Sequence, residues 1–123
     1  MRALIIDDDA DLLELYTMYL EEANFSVVPC EEGLDGFLSS IGEQYDLIIS
    51  DLNMPIISGQ ELILEIRDGV NSRTPIIVVS GFVNEEVRAE LKKLGHIYFV
   101  EKPIERQQLL AAINETLKKE ADS

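Results

Sequence analysis

The sequence predicts a doubly wound α/β fold, a parallel sheet with helices on both faces. Strand-sized apolar runs alternate with helical periodicity five times along 123 residues. The run Ile76-Ile77-Val78-Val79 is apolar without alternation, as a strand buried on both faces must be. No repeat or linker interrupts the alternation, so a single domain over residues 1–123 is expected to hold all the units.

Each element follows in order. Residues 2–6 (RALII) form the first strand, and Leu12, Leu15, Tyr16, Tyr19, Leu20 and Ala23 then fall on one helical face. Residues 25–29 (FSVVP) precede a short second helix with Leu34, Phe37, Leu38 and Ile41. Residues 46–50 (DLIIS) form a third strand that delivers Asp51 at its end, with Met54-Pro55 as the stop. The third helix opens at Ser58, has Glu61 at capping-box spacing, carries Leu62, Ile63 and Ile66, and ends at Gly69. Residues 75–80 (PIIVVS) precede a helix with Asn84 as N-cap, Val87, Leu91 and Leu94 inward, and Gly95 as the stop. Residues 97–101 (IYFVE) lead into a last helix with Leu109, Leu110, Ile113 and Leu117.

Composition narrows the function classes. The longest apolar runs are strand-sized, so no membrane span is expected, and "MRALIIDDD" meets charge too soon for a secretory signal. The single cysteine, Cys30, has no partner within the chain, which favours a reducing cytoplasm and a role as inert filler. A formal charge of −14 argues against nucleic-acid or anionic-membrane binding by the domain. Through residue 66, fifteen Asp and Glu face one base, Arg2, whereas from residue 67 onward acids and bases number nine each. Much of that acid keeps the protein soluble; the asymmetry also makes a field that attracts a cation to the N-terminal half.

Right-handed crossovers place the C-terminal ends of all parallel strands along one edge, where such sheets bind ligands. Read in order, those ends carry Asp7-Asp8-Asp9, Asp51, Ser80-Gly81 and Glu101-Lys102-Pro103. Singly, each has a bland reading: the triplet caps a helix, Ser80 bonds a strand end, and Lys102 is a surface lysine. Their convergence on one edge makes a site. Acids with room for water suit Mg²⁺, and the chain has neither a His nor a Cys cluster for zinc. A divalent ion, a lysine and a hydroxyl together fit a phosphoryl group, with the central carboxylate as nucleophile.

These features resemble the receiver domain of bacterial response regulators. The matching stretches are "LIIDDD", "DLNMPIISG" with its Asp-x-x-Met-Pro-x-x-x-Gly spacing, "VVSG" and "YFVEKP", in order over essentially the whole chain. The resemblance implies a five-stranded, flavodoxin-like sheet of order 2-1-3-4-5. It implies Asp51 as phosphoacceptor, taking its phosphoryl group from a sensor histidine kinase or histidine phosphotransfer protein. Mg²⁺ is then held by Asp8, Asp51 and the Asn53 carbonyl, with Asp7 acting through water or hydrogen bonding. Ser80 and Lys102 contact the phosphoryl oxygens, Asp9 starts a helix, and the Lys102–Pro103 bond is cis. Ser80 and Phe99 form the switch to an output face of residues 84–94, 97–101 and 104–118, which meets a downstream target or a second copy. The implied role is a signalling phosphoacceptor that catalyses only its own phosphotransfer and dephosphorylation.

The chain departs from the family pattern at several places. Ser80 keeps the hydroxyl of the common threonine, Gly81 stands for alanine, and Phe99 lacks the hydroxyl of tyrosine. His96, the only histidine, reads as a solvent-side residue. Asn53 and Phe82 flank the phosphoryl position, and Phe82 has the bulk to hinder a hydrolytic water. Asn53 also argues against an aspartyl phosphatase, which wants a second acid there, and "DDDAD" would repel the phosphate of a flavin. The ending "LKKEADS" favours a single-domain regulator. Two alternatives stand beside it: a receiver cut from a larger, for example transcriptional, regulator, and a receiver-like module that is never phosphorylated.

Overall fold

The computed structural model describes residues 1–54 and 57–122. The elements run β1 (Arg2–Ile6), α1 (Ala10–Glu22), β2 (Ser26–Cys30), α2 (Gly33–Gly42), β3 (Leu47–Asp51), α3 (Gly59–Arg67), β4 (Ile76–Ser80), α4 (Glu85–Lys92), β5 (Ile97–Glu101) and α5 (Arg106–Ala121). All neighbouring strands are parallel, in the order β2-β1-β3-β4-β5. Among the described residues, no helix is long and apolar enough to cross a membrane.

The two faces of the sheet feed two cores. Successive strand side chains point to opposite faces, so Leu4, Ile6, Ile48, Ile76 and Val78 join Leu62, Ile63, Ile66 and Leu91 of α3 and α4. Ala3, Ile5, Leu47, Ile49, Ile77 and Val79 meet Leu13, Tyr16, Leu20, Leu109 and Ile113 of α1 and α5. This double burial is why the central strands carry no polar alternation: every residue of β3 and β4 is buried.

The helix starts are chemically specified. The Asp9 carboxylate accepts from the backbone N–H groups of Asp11 and Leu12, confirming it as a helix-start residue. Ser58 Oγ accepts from Glu61 N–H, and Asn84 Oδ1 from Val87 N–H, as their spacings predict. α5 has a reciprocal capping box, Glu105 with Gln108, that the sequence reading did not single out.

Several expectations require correction. β2 and β3 each sit one residue later than read, ending at Cys30 and Asp51. Of the expected stop at Met54-Pro55, Met54 follows the end of β3 as expected and Pro55 falls outside the described residues. On α1 the deepest residues are Leu13, Tyr16 and Leu20, whereas Ala23 is exposed at the C-cap. The chosen stripe was rotated because apolar residues cover most of that helix. On α2 only Phe37 of the expected set packs against the core; Leu34, Leu38 and Ile41 are exposed, while Gly33, Gly36 and Ser40 face inward. A β-carbon on Gly36 would come within 2.5 Å of Ile6, so the helix approaches the sheet too closely for larger side chains.

His96 is not a simple solvent-side residue. It follows Gly95, and both have left-handed backbone, φ +60° and +80° respectively. Its Nδ1 lies 2.7 Å from Glu120 Oε1, and Tyr98 donates its hydroxyl to the other oxygen of the same carboxylate. This ties the start of β5 to the end of α5. Beside it, the half-buried Arg67 guanidinium donates to the carbonyls of Asn71, Gly95 and His96.

Candidate functional site

Register decides what meets at the C-terminal edge. Ile6 pairs with Ser50, so Asp7 and Asp51, each one residue further, come level on adjacent strands. Asp51 pairs with Val79, which puts Ser80 one step beyond it, and Ser80 pairs with Glu101. The Lys102 N–H then donates to the Ser80 carbonyl at 2.9 Å, continuing the ladder past the strand end. The Lys102–Pro103 peptide is cis.

The carboxylates of Asp7, Asp8 and Asp51 offer oxygens that all lie within 4.8 Å of one another. Asp7 and Asp51 are buried, and Asp8 is exposed at the mouth. Lys102 Nζ bridges the buried pair, 3.3 Å from Asp7 Oδ2 and 3.5 Å from Asp51 Oδ2. The other oxygen of each is held by backbone: Asp7 Oδ1 accepts from Asp9 N–H, and Asp51 Oδ1 from Asn53 N–H. The two acids are therefore fixed from both sides.

The titration of Asp7 and Lys102 follows from these contacts. Burial pushes the Asp7 carboxyl above its ordinary range, against the pull of the Asp9 N–H and the Lys102 ammonium, and Asp51 adds to the rise. Burial acts to lower the Lys102 ammonium, but the charges of Asp7 and Asp51 together outweigh it and its pKa is raised. Lys102 is accordingly a charged lysine at neutral pH.

The acid cluster fits a small hard cation. An ion with oxygens at about 2.1 Å spans its opposed ligands by about 4.2 Å, close to the spread of this cluster. A divalent cation held there would supply the positive charge that lets three carboxylates sit together.

Gly59 is what lets the β3 end sit where it does. Its N–H donates to the Leu52 carbonyl at 3.0 Å, and a β-carbon there would run into the Asp51 carbonyl oxygen. The fourth residue after Met54-Pro55 in the motif is thus a close backbone approach that admits glycine alone.

Ser80 and Asn53 are joined directly, the Asn53 amide donating to Ser80 Oγ at 3.2 Å, while that hydroxyl donates to the Phe82 carbonyl at 3.1 Å. Phe82 itself is 77% exposed beside the site. Phe99 does not join the acids. It is half-buried on β5, with the Arg88 guanidinium 4.5 Å from its ring centroid. A cavity of about 280 Å³ runs from Ser80 to Phe99 with Arg88 in its wall, and another of about 350 Å³ lies on the α4–β5–α5 face. The Arg88–Phe99 stack was not read from the sequence, because the two residues belong to different elements and no spacing rule links them.

A parallel five-stranded sheet with three acids, a hydroxyl and a lysine on its C-terminal edge defines an acid-site receiver. The profile of the response regulator receiver domain matches residues 3–114, and the chain belongs to that family. It is 34% identical over 120 residues to the transcriptional regulatory protein GlrR of Escherichia coli (strain K12), covering 96% of this chain but 26% of that protein. The chain spans between 26% and 49% of the length of such curated relatives. A CheY-like response regulator receiver domain protein from Methanospirillum hungatei JF-1 superposes with a TM-score of 0.91 at 25% identity, over 98% of this chain and 96% of that one. The receiver domain of a sensor histidine kinase from Pseudomonas aeruginosa PAO1, with a magnesium ion in its active site cleft, shares the fold at 22% identity. Its TM-score is 0.83, over 95% of this chain and 97% of that one.

Proposed function

We propose that Asp51 accepts a phosphoryl group from a phosphohistidine on a sensor histidine kinase or histidine phosphotransfer protein. The observation that carries this reading is the Lys102 ammonium set between Asp7 and Asp51 with Asp8 alongside. One Asp51 oxygen attacks phosphorus as the P–N bond of the donor breaks, and the histidine nitrogen leaves with the electron pair and takes up a proton. The product is an acyl phosphate. Asp8, Asp51 and the Asn53 carbonyl would hold Mg²⁺, while Asp7 acts through hydrogen bonding. Lys102 and Ser80 stabilise the transferred oxygens.

The chain is then a signalling phosphoacceptor whose catalysis is limited to its own phosphorylation and dephosphorylation. Its acidic surface fits a protein that does not itself touch nucleic acid or membrane, and its single cysteine, Cys30, fits a reducing cytoplasm. Output passes through Ser80 and Phe99 to the α4–β5–α5 face and a protein target or a second copy. A specific observation favours one elaboration: GlrR is a transcriptional regulatory protein of which this chain spans 26%, so the domain also fits the receiver of such a protein.

Acetyl phosphate with Mg²⁺ should add one phosphoryl mass, and Asp51→Asn should abolish it. An undiminished, acid-labile phosphate on Asp51→Asn would overturn the assignment. With beryllofluoride and Mg²⁺, NMR shifts should extend from the acid loops to residues 84–106. In Phe99→Ala the modification should persist while partner binding is lost.

A further inference from the structure

α2 turns a mostly small face to the sheet, with Phe37 packed half-buried beside it. Its buried positions are Gly33, Gly36 and Ser40, whereas Leu34, Leu38 and Ile41 are 60%, 52% and 48% exposed. The exposed three follow i, i+4, i+7 spacing, one continuous row of roughly 10 Å along the helix. Gly33, at the first helical position, and Gly36, one turn further, are what allow the small side of this helix to meet Ile57 and Ile6. Leu34, Leu38 and Ile41 are thereby left outward.

At the N-terminal end of that row opens a cavity of about 320 Å³. Leu34, Phe37, Met54 and Ile57 supply its apolar wall, and Glu31, Glu32 and Asp8 its acidic rim. Asp35 adds another carboxylate in the first turn of α2. An apolar row ending in a pocket, edged by one sign of charge, has the form of a helix-binding surface.

We propose that this α2 face docks an amphipathic helix of a different protein, apolar on one side and flanked by lysine or arginine. The row receives its apolar stripe, the cavity takes one large side chain, and the basic flank lies against Glu31, Glu32 and Asp35. Charge selects this occupant over the others. A second copy related by two-fold symmetry would bring the same acidic face against this one, since residues 1–66 carry fifteen acids and one base. An anionic membrane is repelled for the same reason. The surface stands apart from the α4–β5–α5 output face and borders the acid site at Asp8.

The test titrates the labelled protein with a synthetic leucine–lysine amphipathic helix, a leucine–glutamate helix serving as control. Amide shifts should fall on residues 31–41, 54 and 57, and binding should weaken at least tenfold in Leu38→Glu and in the Glu31→Lys, Glu32→Lys double variant. Both variants should still accept a phosphoryl group from acetyl phosphate, which shows that they fold, and Asp51→Asn should bind the helix as the wild type does. Equal binding of the glutamate helix, shifts confined to residues 84–106, or no binding would each overturn the proposal. So would a concentration-dependent dimer of the protein alone that Leu38→Glu dissolves, since the row would then belong to a second copy.

Discussion

Ser80 Oγ accepts from the Asn53 amide and donates to the Phe82 carbonyl, so both sides of the hydroxyl are engaged within the protein. To donate to a phosphoryl oxygen it must turn away from Phe82. That rotation moves the wall of the cavity that reaches Phe99. Ser80→Ala should therefore slow phosphorylation about tenfold, the loss of one hydrogen bond to a charged group at about 1.5 kcal/mol. Residues 84–106 should also cease to respond to beryllofluoride. An unchanged response there would separate Ser80 from the switch.

Lys102 predicts a split effect. Its ammonium lies 3.3 and 3.5 Å from two carboxylates that a cation would share. Lys102→Met should tighten Mg²⁺ binding, because a competing positive charge is gone, and yet slow phosphoryl transfer. Asp8→Asn should instead weaken Mg²⁺ about tenfold by lowering the ligand charge. Isothermal titration and acetyl phosphate kinetics on both variants check the opposite signs.

The wider acidic half contributes a screened field. Raising ionic strength to physiological levels shortens its reach to about 8 Å. Mg²⁺ affinity should therefore fall as sodium chloride is added at fixed pH. Identical affinities at low and high salt would assign all binding to the carboxylates of the site.

Gly59→Ala should disturb both stability and chemistry. The added methyl group meets the Asp51 carbonyl oxygen and the Leu52 α-carbon, which are backbone and cannot rotate aside. A cost of about 1–3 kcal/mol is expected from such overpacking, with slower phosphorylation because Asp51 is displaced. Urea denaturation gives the first and mass spectrometry the second. Normal values of both would show that the β3 end yields without consequence.

Tyr98 links stability to alkaline pH. Burial, with the Glu120 carboxylate it donates to, pushes its phenol up to about 12 from 10.0. Between those values the folded chain holds a proton that the unfolded chain releases, so this contribution is complete below about pH 10 and fades toward pH 12. The stability advantage of wild type over Tyr98→Phe should shrink across that window. Denaturant titrations at pH 9 and pH 11 measure it, and a constant gap would refute the linkage.

Sequence alone determined the order and type of the ten elements, because each carries its own local signal. Uninterrupted apolar runs mark strands buried on both faces, and Asp9, Ser58 and Asn84 mark helix starts through bonds to nearby N–H groups. The acids, hydroxyl and lysine were legible as one edge because parallel connections force strand ends together. Tertiary structure decided what depends on distance between elements. α2 was misread because its periodicity does not say which side faces the sheet; the close approach to Ile6 does. Buried Asn71 was invisible for the same reason. Its side chain accepts from the Tyr45 N–H and the Thr74 hydroxyl and donates to the carbonyls of Ser40 and Glu43, residues far away in the chain. The Arg88–Phe99 stack and the His96–Glu120–Tyr98 tie likewise join separate elements. Local patterns follow from the geometry of one helix or strand, whereas these contacts exist only once the packed sheet has fixed the spacing between its layers.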